Sequence, residues 1–100
     1  SVEVMPEFIG GTAALMKYLS SNIKYPTISQ ETGSQGKVIV QFVVDKDGTI
    51  SNPEVVRGVD PYLDKEAIRV ISSMPKWTPG VQNGKKVRVK FTVPVSFRLQ

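Results

Sequence analysis

Apolar and polar positions change period several times along the chain, and each change marks an element. From Val87 to Leu99 every odd position is apolar, while the even ones are mostly basic or hydroxylic. That period of two describes a strand with one buried face. Residues 36–44 alternate as well, through Val38, Val40, Phe42 and Val44, but Ile39 and Val43 make the second face partly apolar. A strand covered at least in part on both sides is expected there. Asp45-Lys46-Asp47-Gly48 is a hairpin turn, and a second strand follows from Ile50 to Arg57, bent or bulged near Pro53. Leu63, Ala67, Val70, Ile71 and Met74 instead fall on one helical stripe. Asp60 caps that helix, Pro61 takes its first position and Pro75 stops it.

An earlier helix carries Leu15, Tyr18, Leu19 and Ile23, with Thr12 as its expected N-cap and Tyr25-Pro26 as its end. Residues 1–10 read as an extended lead-in, 27–36 as a loop or short frayed turn, and 75–84 as a loop. The order is helix, strand, strand, helix, strand. The predicted fold class is α+β, with two helices packed on one face of a three-stranded antiparallel sheet. At 100 residues the chain has enough length for one core, so residues 1–100 are read as a single domain.

Pro94 interrupts the pattern of the final strand, because a prolyl nitrogen donates nothing to a central ladder. Successive strand residues alternate both their face and the side toward which their N–H points. The even positions therefore share a solvent face and one lateral edge. If that edge is the sheet margin, Pro94 costs no internal bond. Arg88, Lys90, Thr92, Ser96 and Arg98 then border a template for strand addition by an extended peptide. An exposed edge of this length could also pair with a second copy of itself.

Composition narrows the chemistry. The chain contains neither cysteine nor histidine, so no catalytic set can be assembled and no enzyme, cofactor or metal is expected. A net charge of +4 is compatible with an anionic partner without calling for one. No apolar stretch approaches the roughly 18 residues of a membrane span, and no basic-then-apolar leader opens the sequence. A piece of a larger protein would look the same.

Several motifs have plainer explanations than their functional ones. Asp45, Asp47 and Gly48 lack the spacing of a calcium loop and fit a hairpin. Gly33-Ser34-Gln35-Gly36 matches a KH-type G-x-x-G but leads into a strand rather than joining two helices. Asp60, Asp64 and Glu66 suit the first turns of a helix. The basic residues of the last strand lack exposed aromatics beside them, since Phe91 and Phe97 share the apolar register. Nucleic acid is therefore the alternative partner and not the expected one. Trp77 is read as the plug at one end of the core.

Together these residues resemble the C-terminal domain of the TonB family of bacterial energy transducers, from about Ile23 onward. The resemblance rests on Tyr25-Pro26, on Gly36-Lys37-Val38 through Asp47-Gly48-Thr49-Ile50, and on Trp77-Thr78-Pro79-Gly80. Met5-Pro6-Glu7-Phe8-Ile9-Gly10-Gly11 is similar to the opening common in the Bacteroidetes-type branch, with Ile9 where proline is usual. The resemblance implies a periplasmic domain of an inner-membrane-anchored protein, its anchor and proline-rich linker outside this stretch. Such a domain is driven by an ExbB–ExbD motor. It grips the TonB box of outer-membrane receptors so that siderophore, cobalamin or glycan cargo can enter. The implied contact residues are Asn22, Lys24, Tyr25 and Pro26, beside the final strand with which the box pairs. Here Asn22-Ile23-Lys24 stands where the enteric pattern has Gln-Pro-Gln. A TonB-like domain reused as the sensor or partner-binding end of another membrane protein is a further alternative.

Overall fold

The computed structural model describes residues 2–100. Eight elements follow one another: α1 (Gly11–Asn22), α2 (Thr27–Glu31), β1 (Gly36–Val44), β2 (Ile50–Arg57), α3 (Pro61–Ser72), β3 (Gly80–Gln82), β4 (Lys85–Val87) and β5 (Val89–Phe97). The main sheet is antiparallel with the order β2-β1-β5, and β3 and β4 form a separate hairpin. The α+β class, the three-stranded antiparallel sheet and the helical layer on one of its faces are as expected.

The core lies between that face and the helices. Val38, Val40, Phe42 and Val44 of β1 are joined by Val93, Val95 and Phe97 of β5, and by Leu63, Ala67, Val70 and Ile71 of α3. Leu15 and Leu19 of α1 complete the layer. Trp77 plugs one end, edge-on to Phe42 at 5.4 Å and to Phe8 at 5.8 Å. Burial of such side chains contributes about 1.5–3 kcal/mol each, which outweighs the modest helix propensity of the segments involved.

Three expectations are corrected. Thr12 does not cap α1. Gly10 does, in the left-handed region at φ 92°, and no side chain bonds the helix start. A β-carbon there would sit 2.9 Å from that of Ala14, so the turn demands glycine. Residues 27–31 form a short helix, held because the buried Ser29 hydroxyl donates to Asp60 Oδ2 at 3.0 Å. Residues 80–87 form a hairpin around Asn83-Gly84, both at positive φ, a conformation this residue pair favours. The lead-in pairs with that hairpin: Val4 and Val81 exchange bonds of 3.0 and 2.9 Å, and Glu7 and Thr78 bonds of 3.0 and 2.8 Å. The last strand is consequently broken at Arg88, and β5 ends at Phe97.

β1 is covered in part on both sides, as expected. Only its helix-facing side is closed, whereas Ile39, Gln41 and Val43 on the opposite side remain half-buried. The flanking strands' side chains screen them, but no second layer covers them.

Candidate functional site

β1 has a partner on each side, so the sheet has two margins, and the last strand is one of them. β5 pairs with β1 over nine consecutive positions without a shift, from Gly36–Phe97 to Val44–Val89. Ile39 faces Pro94 in this ladder. A proline cannot belong to a hydrogen-bonded antiparallel pair, so Ile39–Pro94 is a non-bonded one. The same parity makes Lys37–Ser96, Gln41–Thr92 and Val43–Lys90 non-bonded pairs. The N–H groups of Lys90, Thr92 and Ser96 therefore point away from β1, and among the described residues they make no loop bonds either. Val93 and Val95 direct theirs inward.

Side chains obey the same alternation. Lys90, Thr92, Pro94 and Ser96 are exposed, whereas Val89, Val93, Val95 and Phe97 are buried. Phe91 is half-buried against Phe42 and Trp77. Alongside the outer margin runs a groove whose far wall is α1: Met16, Leu19, Ser20 and Ile23 face Pro94 and Ser96 across it. Nothing in the strand's own periodicity pointed to α1 as the second wall. Met16 was the available signal, an apolar residue outside the core stripe of its helix and 40% exposed.

The other expected contact residues are placed unevenly. Arg98 lies just past β5, near Ser96, Gln35 and Lys37. Arg88 sits in the break between β4 and β5, with its Nε donating to Asp45 Oδ1 at 2.8 Å. The corner 22–26 is bound to α3. Asn22 donates to Tyr18 O at 2.7 Å, and its own carbonyl accepts from Arg69 Nη2 at 2.9 Å. The Lys24 N–H donates to Glu66 Oε2 at 2.7 Å, and Arg69 Nε donates to Glu66 Oε1 at 2.7 Å. Burial pushes the Glu66 carboxyl up, but the Arg69 guanidinium and the Lys24 N–H outweigh it and hold the group below its usual range.

Tyr25 stands edge-on to Phe97 with centroids 5.7 Å apart, and its hydroxyl donates to the Ser34 carbonyl. Burial, with the Asp60 charge, pushes that phenol upward. Pro26 precedes α2, and its carbonyl accepts from Gln30 N. Lys24, Tyr25 and Pro26 thus border a second groove against Tyr62, Lys65 and Arg69 of α3. Ile23 lines the groove beside Pro94 and Ser96, while Tyr25 meets β5 at its last residue, Phe97.

The acidic cluster resolves into structural partners. Asp60 accepts from Leu63 N at 2.7 Å, Asp64 from Val59 N at 2.9 Å, and Glu66 from the corner just described. Asp47 accepts from Thr49 N at 3.0 Å within the hairpin turn. That turn is joined to the tryptophan loop, since Trp77 N donates to Gly48 O at 2.9 Å. A β-carbon on Gly48 would lie 2.0 Å from Trp77 O. The glycine of the hairpin and the Trp-x-Pro-Gly stretch are two halves of one joint.

An antiparallel sheet with helices on one face and an unshifted β5 margin defines an α+β domain. The family described as Gram-negative bacterial TonB protein C-terminal matches residues 21–99, and the chain belongs to it. It is 33% identical over 85 residues to Protein TonB of Haemophilus influenzae, a match covering 81% of this chain and 32% of that protein. To Protein TonB of Helicobacter pylori it is 26% identical over 83 residues, covering 82% and 28%. The chain thus spans about a third of the length of the curated relatives it matches. A solution structure of the H. pylori TonB C-terminal domain superposes with a TM-score of 0.66 at 24% identity, covering 86% of this chain and 90% of that one. A longer form of the same domain gives 0.58.

Proposed function

We propose that this domain is the gripping end of a TonB-type energy transducer, without catalytic activity of its own. It takes the TonB box of an outer-membrane receptor as an added strand along β5. The observation that supports this most is the unbroken, unshifted margin on which Lys90, Thr92 and Ser96 leave their N–H groups free. Each of these residues offers a donor and an acceptor, and Pro94 offers an acceptor alone. Backbone bonds contribute about 0.5–1.5 kcal/mol net apiece, which suits a grip that must also release. In the family's scheme an ExbB–ExbD motor in the inner membrane pulls on the domain from across the periplasm, and the receptor then admits its cargo. That scheme supplies the whole-protein role proposed here, with anchor and linker lying outside this stretch.

Titration calorimetry with peptides from the N-terminal plugs of the host's receptors tests the reading. Binding in the micromolar range or weaker is expected, since a disordered segment loses entropy on pairing. Backbone pairing is expected to weaken little with added salt. A domain that ignores every such peptide and binds RNA with steep salt dependence would overturn the proposal.

A further inference from the structure

We infer that the groove between α1 and the outer margin of β5 is the specificity subsite of the docking edge, filled by apolar side chains that alternate along the incoming strand. The inference rests on the edge-docking reading and adds what kind of peptide the edge selects. Residues of an added strand directly opposite Thr92, Pro94 and Ser96 share their open face. The residues between them turn the other way, toward the helices. There they meet Met16, Leu19 and Ile23, which form the far wall, with the margin at Pro94 and Ser96 as the near one. Leu19 is buried in the core, whereas Met16 is 40% exposed and lies outside the core cluster. Among the described residues, Lys17 is the one charge at the groove, and no carboxylate lines it.

The open face is different. Lys90, Thr92 and Ser96 are exposed there, so guest residues on that side are favoured when hydroxylic or acidic. The preferred strand therefore has apolar side chains at two positions, i and i+2, separated and flanked by polar or acidic ones. The subsite also solves a register problem. Backbone bonding is blind to sequence, and Pro94 removes a donor from the middle of the ladder. A guest held by its backbone alone could shift by two residues at little cost. A local apolar groove beside residues 94–96 stops that shift.

The test uses random heptapeptides displayed on phage, panned against the native domain and against the variants Met16→Lys, Met16→Leu and Ser96→Pro, with melting temperatures recorded for each. Peptides enriched on the native domain should show the i, i+2 apolar pattern. Met16→Lys should replace one of the two apolar positions with Asp or Glu and weaken a synthetic native winner on the order of tenfold, while Met16→Leu retains it. Enriched peptides that lack the pattern, or ignore Met16→Lys but are lost with Ser96→Pro, would overturn the subsite and leave edge docking standing. Enrichment unchanged by Ser96→Pro would overturn edge docking itself. No enrichment on the native domain would overturn both.

Discussion

The two margins of the same sheet are built in opposite ways. β2 meets β1 with two register shifts, one between Ile39 and Val40 and one between Gln41 and Val43. At the second, Asn52 sits in the left-handed region at φ 50° beside Pro53. Bulges and prolines of this kind twist an edge away from partners, a common defence against edge-to-edge pairing. β5 has no shift over its nine pairs. Its one proline falls where it costs the internal ladder nothing. The two margins therefore offer an incoming strand unequal templates.

The largest effects should separate the two parities of β5. Val93→Pro removes an inward N–H and a fully buried side chain, and should cost about 3 kcal/mol or more in chemical denaturation. Ser96→Pro, at an exposed position with an outward N–H, should leave the melting temperature nearly unchanged while removing peptide binding. If Ser96→Pro unfolds the domain as badly as Val93→Pro, β5 is paired on both sides and the comparison collapses.

Next in size is the joint that holds the β1–β2 turn. Gly48→Ala forces a β-carbon into the Trp77 carbonyl at a φ of 88°, and should destabilise by about 2 kcal/mol or more. Thermal unfolding measures this, and a near-neutral result would show that the turn and the tryptophan loop can part.

The β2 margin offers the converse experiment. Deleting Asn52 together with Pro53→Thr would remove the second of the two shifts and straighten the edge around it. Concentration-dependent self-association by analytical ultracentrifugation is then expected, and a variant that stays monomeric would show that the bulge is not what protects β2.

Acid should loosen the helical layer while pairing at β5 needs no titratable group. Asp60 is held below its usual range chiefly by the Leu63 N–H, and Glu66 by its partners despite burial. Unfolding raises both groups toward ordinary values, so the unfolded chain binds more protons and stability rises with pH. That stability should be present above the ordinary carboxylate range and be lost as pH falls below about 4. Asp60→Ala should lower the melting temperature at pH 7 and flatten the acid limb. The smallest effect belongs to Arg88. Its own side chain is more than half exposed, and Arg88→Ala should cost less than about 1 kcal/mol.

What could be read from the chain alone follows the range of the interactions involved. α3 was legible because Asp60-Pro61 and a clean stripe act within one element, and the bend in β2 because Pro53 acts locally. Pro94 even located the free margin, since parity links its missing donor to its neighbours. α2 was not legible as a helix, because five residues are too few to show a period and Ser29 is anchored by Asp60, distant in sequence. Three-residue strands are too short to show a period, so β3 and β4 were hidden despite Asn83-Gly84. The Tyr25-Pro26 corner came from a family motif, and its attachment to Glu66 and Arg69 has no signature in its own stretch. The α1 wall of the groove needed the packing of α1 beside β5, which no pattern within either element encodes.

Amide hydrogen exchange along β5, read residue by residue by NMR with and without a receptor-plug peptide, tests the central claim most directly. In the free domain the N–H groups of Lys90, Thr92 and Ser96 should exchange fast, and those of Val93 and Val95 slowly. Adding peptide should slow Thr92 and Ser96 while Val93 and Val95 change little. Even-numbered amides already protected in the free domain, or left fast by a peptide that binds, would contradict the account.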